Sequence, residues 1–389
     1  MWRTNWITRE GPELISADYV IVGSGLTGAV IARLLSDAGR EVLVLDRRSH
    51  LGGNVHDHVH SSGILIHTYG PHHFRTSSDR IWEFVNRFAR FFTYEHRVVS
   101  EVDGELPSWP ILGSYIRRVV GANWTPEFTG TPTNLEEAAL ALMPRVIYEK
   151  FVKEYNEKQW GVSARALSPK LCQRFDVRHD DDPRFKPQAK YQGIPEPGYA
   201  ELMRRMLEGI PVLLNFDYLE RQDEVEHRKL LVYTGPIDAY FNYEFGRLQY
   251  RGQIREHRFI ADVDWKYPCG AVNNPLHAGG PHIRTLEWKH WMHPEWAKGI
   301  RGTLVTAETP FTPTTPNEFE YPFPDERNAN LYRDYRQRAD ALSDVLICGR
   351  LGEYRYYDMD QAIARAMALA ERILECTRTM RPAHEFSEV

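Results

Sequence analysis

Cysteine is scarce in this chain. Its four cysteines, Cys172, Cys269, Cys348 and Cys376, lie far apart with no CxxC pair, which argues against a disulfide framework or a zinc site and fits a reducing cytoplasm. A surplus of basic charge is lacking too: Lys plus Arg number 48 against 53 for Asp plus Glu. General binding to nucleic acid or to an anionic membrane is therefore not expected, and any anionic ligand must be met by a local basic pocket. No stretch reaches the ~18 consecutive apolar residues of a membrane span. The opening MWRTNWITREGPELISA holds no apolar run of secretory-signal length, and no internal repeat is evident.

What is present begins with DYVIVGSGLTGAVIARLLSDAGREVLVLDRRSHLGGN, Asp18 to Asn54. Tyr19–Val22 and Glu41–Leu45 are continuous apolar runs separated by a segment of helix length, the pattern of a parallel sheet buried on both faces. In GSGLTG, Gly23 permits a tight turn, Gly25 lets the backbone approach a pyrophosphate, and Gly28 lets the helix pack close to the sheet. Asp46 ends the second strand 18 residues after Gly28, where a carboxylate accepts bonds from ribose hydroxyls. Strand, glycine turn, helix and acid together point to a dinucleotide. Gly52 and Gly53 follow Asp46 by six and seven residues. That longer fingerprint resembles the glutathione-reductase-like flavoproteins, in which FAD rather than NAD fills the first fold.

Farther along, Ile81, Val85, Phe88 and Phe92 predict a helix over 78–92, and Asn134 with Glu137 predicts an N-cap. Pro144 starts a new helix to Gln159, with Tyr148, Phe151 and Tyr155 on one face before Trp160 and Gly161 end it. Residues 222–265 and 269–324 read as antiparallel strands with loops. Asp344–Cys348 (DVLIC) returns to a strand, followed by a turn at Gly349–Gly352 and a helix from about Asp360 to Leu374. Only the tail after Cys376 reads as disordered. The second glycine turn lies where it can meet a flavin, and the helix starting near Asp358 would present its positive end to the N1 and C2 carbonyl edge.

Several stretches in order and spacing carry a more specific signal: YGPHHF (69–74), EKQWG (157–161), GYAELMRRML (198–207), YTGPIDAYFNYEFGRLQYR (233–251), IRTLEWKH (283–290) and GRLGEYRYYDMDQAI (349–363). With the fingerprint and GGN at 52–54 they resemble the bacterial UDP-galactopyranose mutases over nearly the whole length. The resemblance implies an isomerase that interconverts UDP-galactopyranose and UDP-galactofuranose in cell wall biosynthesis. Its FAD must be reduced, by NAD(P)H or another donor, and N5 of the reduced flavin is the nucleophile that displaces UDP from the anomeric carbon. A homo-oligomer is expected.

The same resemblance supplies site residues. Arg174 and Arg284 would grip the departing diphosphate, whose two charges suit planar guanidinium forks. His72 would stand near the flavin and respond to its redox state. Tyr155, Trp160 on a mobile loop, Phe151, Phe185, Asn274, Tyr321, Tyr356 and Asp358 would line the substrate site. The cofactor would be held by Gly23, Gly25, Gly28, Asp46, Gly52, Gly53, Asn54, Gly349, Arg350 and Met359. Other roles stay open: Tyr155 as a core aromatic, Asn274 as a turn residue beside Pro275, Asp358 as a helix cap. His56, His58 and His60 alternate as on one strand face, but no Cys or acidic cluster accompanies them, and no metal is expected. A hydride-removing flavin amine oxidase or protoporphyrinogen-oxidase-like enzyme shares the fingerprint, yet nothing in it requires the two arginines. A flavin-binding redox sensor without turnover is the non-enzymatic alternative.

The expected fold class is α/β, a Rossmann-like FAD domain with an inserted helical domain and an antiparallel sheet domain. The FAD domain is assigned to 1–98, 199–245 and 340–389, the helical domain to 99–178, and the sheet domain to 179–198 and 246–339.

Overall fold

The computed structural model describes residues 14–379. Most of the N-terminal segment and the tail from residue 380 lie outside the described residues, and residues 377–379 continue the last helix. Among the described residues, no helix is long and apolar enough to cross a membrane.

The apolar runs form a five-stranded parallel sheet in the order Val212–Leu213, Val42–Leu45, Ile15–Val22, Val225–Tyr233, Val345–Ile347. It is buried on both faces. Tyr19 and Ile21 join the helices Leu26–Asp37 and Met359–Thr379 in one core, while Val20 packs into a second core with Tyr335 and Ala339 of the helix Glu326–Asp340. The carboxyl ends of four strands bring Gly23, Asp46, Thr234 and Gly349 to one edge of this sheet, where such folds bind nucleotides.

A seven-stranded sheet follows the order Tyr321–Pro322, Tyr250–Ile260, Thr303–Phe311, Arg284–Glu287, Ala271–Asn273, Val98–Ser100, Ser108–Trp109. It is antiparallel except where Ala271–Asn273 and Val98–Ser100 run parallel. A third core, around Ile116, Leu135, Ile147, Tyr148 and Phe151, belongs to the helices of the middle segment.

Four expectations are corrected. Val98–Ser100 and Ser108–Trp109, assigned from sequence to the FAD and helical domains, extend the antiparallel sheet. Tyr191–Pro195, assigned to the sheet domain, instead pairs with Phe74–Thr76 and Phe91–Thr93 in a separate three-stranded sheet. The same pairing ends the helix expected over 78–92: it covers only Asp79–Asn86, and Phe91–Thr93 is a strand. The pairings with Ala271–Asn273 and with Tyr191–Pro195 are distant in sequence and leave no local pattern. Val225–Tyr233, read as antiparallel, is a parallel strand of the nucleotide sheet.

Candidate active site

The glycine turn is shaped for close backbone approach. A Cβ on Gly28 would lie 2.0 Å from the Gly23 carbonyl oxygen, so the helix seats on the strand only because that side chain is missing. Gly25 differs: the nearest atom to its Cβ position is the Gly53 Cα at 3.9 Å. The protein therefore leaves open the space above Gly25, walled by the second glycine pair, and Gly52 N–H bonds the Ser24 carbonyl to hold that wall in place. The first amides of the Leu26–Asp37 helix face this space without a side-chain cap, an anion site by construction. Asp46 is buried beside it, one oxygen accepting from the Ser24 amide and hydroxyl at 2.7 and 2.6 Å and the other from the Arg48 amide. This cradle fits a dinucleotide pyrophosphate. Asn54, expected at the cofactor, has its side chain between Arg48 and the Phe319 carbonyl.

Gly349 opens a short helix, and Arg350 donates to the carbonyls of Glu320 and Tyr357. Met359 packs against the main core at the start of the last helix. Asp358 stands at that helix's N-cap position, with its backbone carbonyl accepting from Ala362, but its side chain does not cap. It pairs with Arg75 at 2.7 Å, and Gln361 accepts the Asp358 amide instead.

His72 donates from Nδ1 to the Gly70 carbonyl at 2.7 Å. A carbonyl only accepts, so the proton sits on Nδ1 and Nε2 is left as an acceptor. Burial, with Arg350 and other arginines nearby, lowers the His72 pKa to about 3, which keeps the ring neutral.

The second sheet supplies the strongest electrostatic feature. Glu308 lies directly opposite Arg284 in one neighbouring strand and directly opposite Arg255 in the other. Cross-strand partners share a face, and the three side chains form one row. Arg284 Nε and Arg255 Nε donate to different oxygens of the fully buried Glu308, and Arg255 also forks onto Glu320 at 2.7 and 2.9 Å. Burial opposes ionisation of Arg284, but Glu308 overrides it and raises its pKa. Burial likewise acts against the Glu308 carboxylate and is overcome by the two arginines, which lower its pKa.

Arg174 ends the turn Pro169–Arg174 and lies over the Tyr356 ring, 4.4 Å from its centroid; Arg350 lies over the same ring at 4.9 Å. Tyr356 stacks with Tyr321 at 6.0 Å. Among the described residues no carboxylate pairs with Arg174 or Arg350. Burial raises the Tyr321 pKa to about 12, so its hydroxyl remains a donor. Tyr155 feels the charges of both Arg284 and Arg174, which places it with them.

Tyr155 reaches them because its helix is not regular. A π-helical turn at Glu149–Lys153 inserts a residue between Arg145–Tyr148 and Glu154–Trp160. Tyr148 and Phe151 stay in the helical core while Tyr155 is rotated off that face. The expectation that the three share a face is thereby corrected. Phe151 is packed edge-on against Tyr115, 3 % exposed. Trp160, expected on a mobile loop, is the last helical residue, buried and edge-on to Phe323. Asn274 is buried with its amide on the carbonyls of Gly279 and His282, bracing its own loop as a turn residue would. Phe185 meets His96 edge-on and lies under Arg75. His56 stacks on His50 at 3.9 Å, and among the described residues no three metal-binding groups converge.

Sequence reasoning missed Glu308, Arg255, Glu320 and Arg75. Each is an ordinary charged residue until strand register or helix docking sets it against an arginine or acid from elsewhere in the chain.

The fold and site define a class: dinucleotide-binding α/β proteins whose nucleotide edge faces an arginine-lined second sheet. Family comparison is specific within that class. The model described as UDP-galactopyranose mutase matches residues 150–356, and the NAD(P)-binding Rossmann-like domain matches 21–88. The chain belongs to the UDP-galactopyranose mutase family. It is 32% identical to a probable UDP-galactopyranose mutase of Klebsiella pneumoniae, covering 92% of this chain and 94% of that protein. It is 30% identical to a dTDP-fucopyranose mutase of Escherichia coli, covering 90% and 97%. In fold it matches a reduced UDP-galactopyranose mutase with a TM-score of 0.73 at 15% identity, over 93% and 94% of the two chains. A putative protoporphyrinogen oxidase from an Exiguobacterium species matches at 0.58 and 13%, over 94% and 100%, a likeness of fold alone.

Proposed function

We propose that this chain interconverts UDP-galactopyranose and UDP-galactofuranose with FAD bound at the glycine cradle and active in its reduced state. The observation that carries the reading is Arg284, whose Nε is fixed by Glu308 while its terminal nitrogens take no protein partner among the described residues. A guanidinium held this way offers two parallel donors to a phosphate.

The reduced flavin, when bound, supplies the nucleophile toward the anomeric carbon. The protein's own work is to bind and orient. Arg284 and Arg174 take the diphosphate and stabilise its charge as it leaves. The Tyr321 and Tyr356 hydroxyls donate to phosphate oxygens. Gly25, Gly53 and the helix amides hold the cofactor pyrophosphate, and Asp46 takes its ribose. His72 presents Nε2 as an acceptor, suited to an N–H of a reduced ring. NAD(P)H or another donor reduces the cofactor, and the protein works in the cytoplasm, where such donors are at hand and four free cysteines are at ease.

The test is turnover of UDP-galactofuranose by the holoprotein, followed by chromatography, with and without dithionite, and with a dTDP-fucofuranose arm beside it. Conversion of the UDP-sugar only after reduction is expected. Equal turnover with oxidised flavin would defeat the nucleophilic role, and conversion of the dTDP-sugar alone would reassign the substrate.

A further inference from the structure

We infer that Arg255 is a positioning residue for the reaction: it occupies one oxygen of Glu308 so that Arg284 is held side-on and keeps its terminal nitrogens free for diphosphate. The inference rests on the reading of Arg284 given above and adds a residue that never touches substrate.

The geometry is a matter of counting donors and acceptors. A carboxylate beside a single arginine is commonly taken end-on by two parallel N–H bonds. Glu308 does not receive Arg284 that way. Its Oε1 is filled by Arg255 Nε at 2.9 Å, and Oε2 alone accepts from Arg284 Nε. The rest of Arg255 is turned away from Glu308 Oε2: Nη1 and Nη2 fork onto Glu320 Oε1 and Oε2 at 2.7 and 2.9 Å, and Nη1 also reaches the Gln253 carbonyl at 3.4 Å. Both carboxylates and Arg255 are nearly sealed from solvent, with side-chain exposures of 0% for Glu308, 6% for Glu320 and 9% for Arg255, whereas Arg284 keeps 20%. The row also presses on the turn that holds His72, since a Cβ at Gly70 would lie 2.9 Å from both Arg255 Nη2 and Glu308 Oε1. Charge balances within the four: two guanidinium groups offset two carboxylates. Removing Arg255 alone would leave an excess buried negative charge beside a phosphate site. It would also free Glu308 Oε1 to draw Arg284 inward as a fork.

The double variant R255L/E320L separates these effects. It removes one charge of each sign, and replacing a buried ion pair by apolar residues is often neutral or stabilising. Besides the pair itself, it loses the bond that filled Glu308 Oε1 and the longer Arg255 bond to the Gln253 carbonyl at 3.4 Å, which lies away from Arg284. The experiment compares holoprotein thermal stability, flavin content and the Kd for UDP, read by calorimetry, in the parent, R255L/E320L and E320Q. The expected result is a double variant with parental flavin content and stability but about tenfold weaker UDP binding, and E320Q, which keeps Arg255 on Glu308, within twofold of the parent. A merely structural Arg255 would move stability and leave the Kd. If R255L/E320L does not fold, R255K carries the test. Its three N–H donors sit on one atom and cannot stand at the separate Nε and Nη positions, so Nζ is expected to follow the two Glu320 oxygens and leave Glu308 Oε1, with about fivefold weaker UDP binding. UDP binding within twofold of the parent in the folded double variant, or in R255K when it carries the test, overturns the inference. A parent that does not bind UDP overturns the reading of Arg284 as well.

Discussion

The Arg174 guanidinium lies over the Tyr356 ring, 4.4 Å from its centroid, with no carboxylate paired to it among the described residues. The ring face therefore orients this cation without neutralising it, as an acid would. A cation over an aromatic face contributes about 0.5–2 kcal/mol, enough to set which way a half-exposed arginine points. Tyr356→Phe keeps the face and loses the hydroxyl, so UDP affinity is expected to fall only by the roughly 1 kcal/mol of one hydrogen bond. Tyr356→Leu loses both and is expected to weaken UDP more than tenfold. Titration calorimetry on the two variants decides it, and equal losses would mean that the ring face does not matter.

Gly25 separates a cofactor role from a packing role. The protein leaves the space at its Cβ position open, with the nearest atom at 3.9 Å, whereas a Cβ at Gly28 collides with the Gly23 carbonyl at 2.0 Å. Gly25→Ala is thus expected to fold with the apoprotein's melting temperature unchanged while flavin content drops severalfold, because the methyl group takes pyrophosphate space. Gly28→Ala is expected to be poorly folded. Absorbance at the flavin band and a thermal melt of apoprotein measure both. A Gly25→Ala protein that keeps full flavin would place the pyrophosphate elsewhere.

The nucleotide half of the molecule was legible because its signals are local. Gly23, Gly25, Gly28 and Asp46 act within one strand–turn–helix–strand unit, and each lies where the spacing puts it. The arginine-lined wall was legible only in part. Arg284 and Tyr321 were reached through resemblance, but Glu308 and Arg255 meet through antiparallel register across 53 residues of sequence, which periodicity cannot convey. Tyr155 was open between core and site because a π turn has no sequence signature. Asn274 and Asp358 show the reverse: the residue types were sound, but the partners that claimed their side chains, the Gly279 and His282 carbonyls and Arg75, lie in a folded loop and a distant strand.

Acid sensitivity is expected to trace in part to His73. Burial first, and Arg75 second, lower its pKa to about 3, and neither ring nitrogen has a hydrogen-bond partner. In the unfolded chain it titrates near 6.5. A folded pKa depressed below the unfolded value means that the unfolded state binds more protons between them, so the neutral ring's contribution is present above pH 6.5 and lost as pH falls toward 3. Each pH unit within that window costs about 1.4 kcal/mol per proton. His73→Leu, close in volume, is expected to lose roughly 2 kcal/mol less stability than the parent between pH 6.5 and 5. Urea unfolding at the two pH values measures the difference, and parallel losses in both proteins would show that His73 takes no proton on unfolding.

Lys158 carries the last expectation. Its Nζ lies 2.7, 3.0, 3.1 and 2.9 Å from the carbonyls of Asn274, Leu276, Gly280 and His282. One ammonium thereby gathers a loop that would otherwise bury several unpaired acceptors, and Glu154, one turn earlier on the helix, accepts the His277 amide. That loop ends one residue before Ile283 and Arg284, so the helix bearing Tyr155 fixes the position from which the arginine strand starts. Lys158→Met removes the donor without restoring partners, and an unsatisfied buried polar group costs about 1–3 kcal/mol. Lys158→Arg is not expected to restore the site, since a planar fork cannot converge on four oxygens around one point. In both variants, faster amide hydrogen exchange over 274–282 and weaker UDP binding are expected, with exchange in the Leu26–Asp37 helix unchanged. If Lys158→Met leaves exchange over 274–282 at the parental rate, the loop is held by Asn274 and the sheet instead.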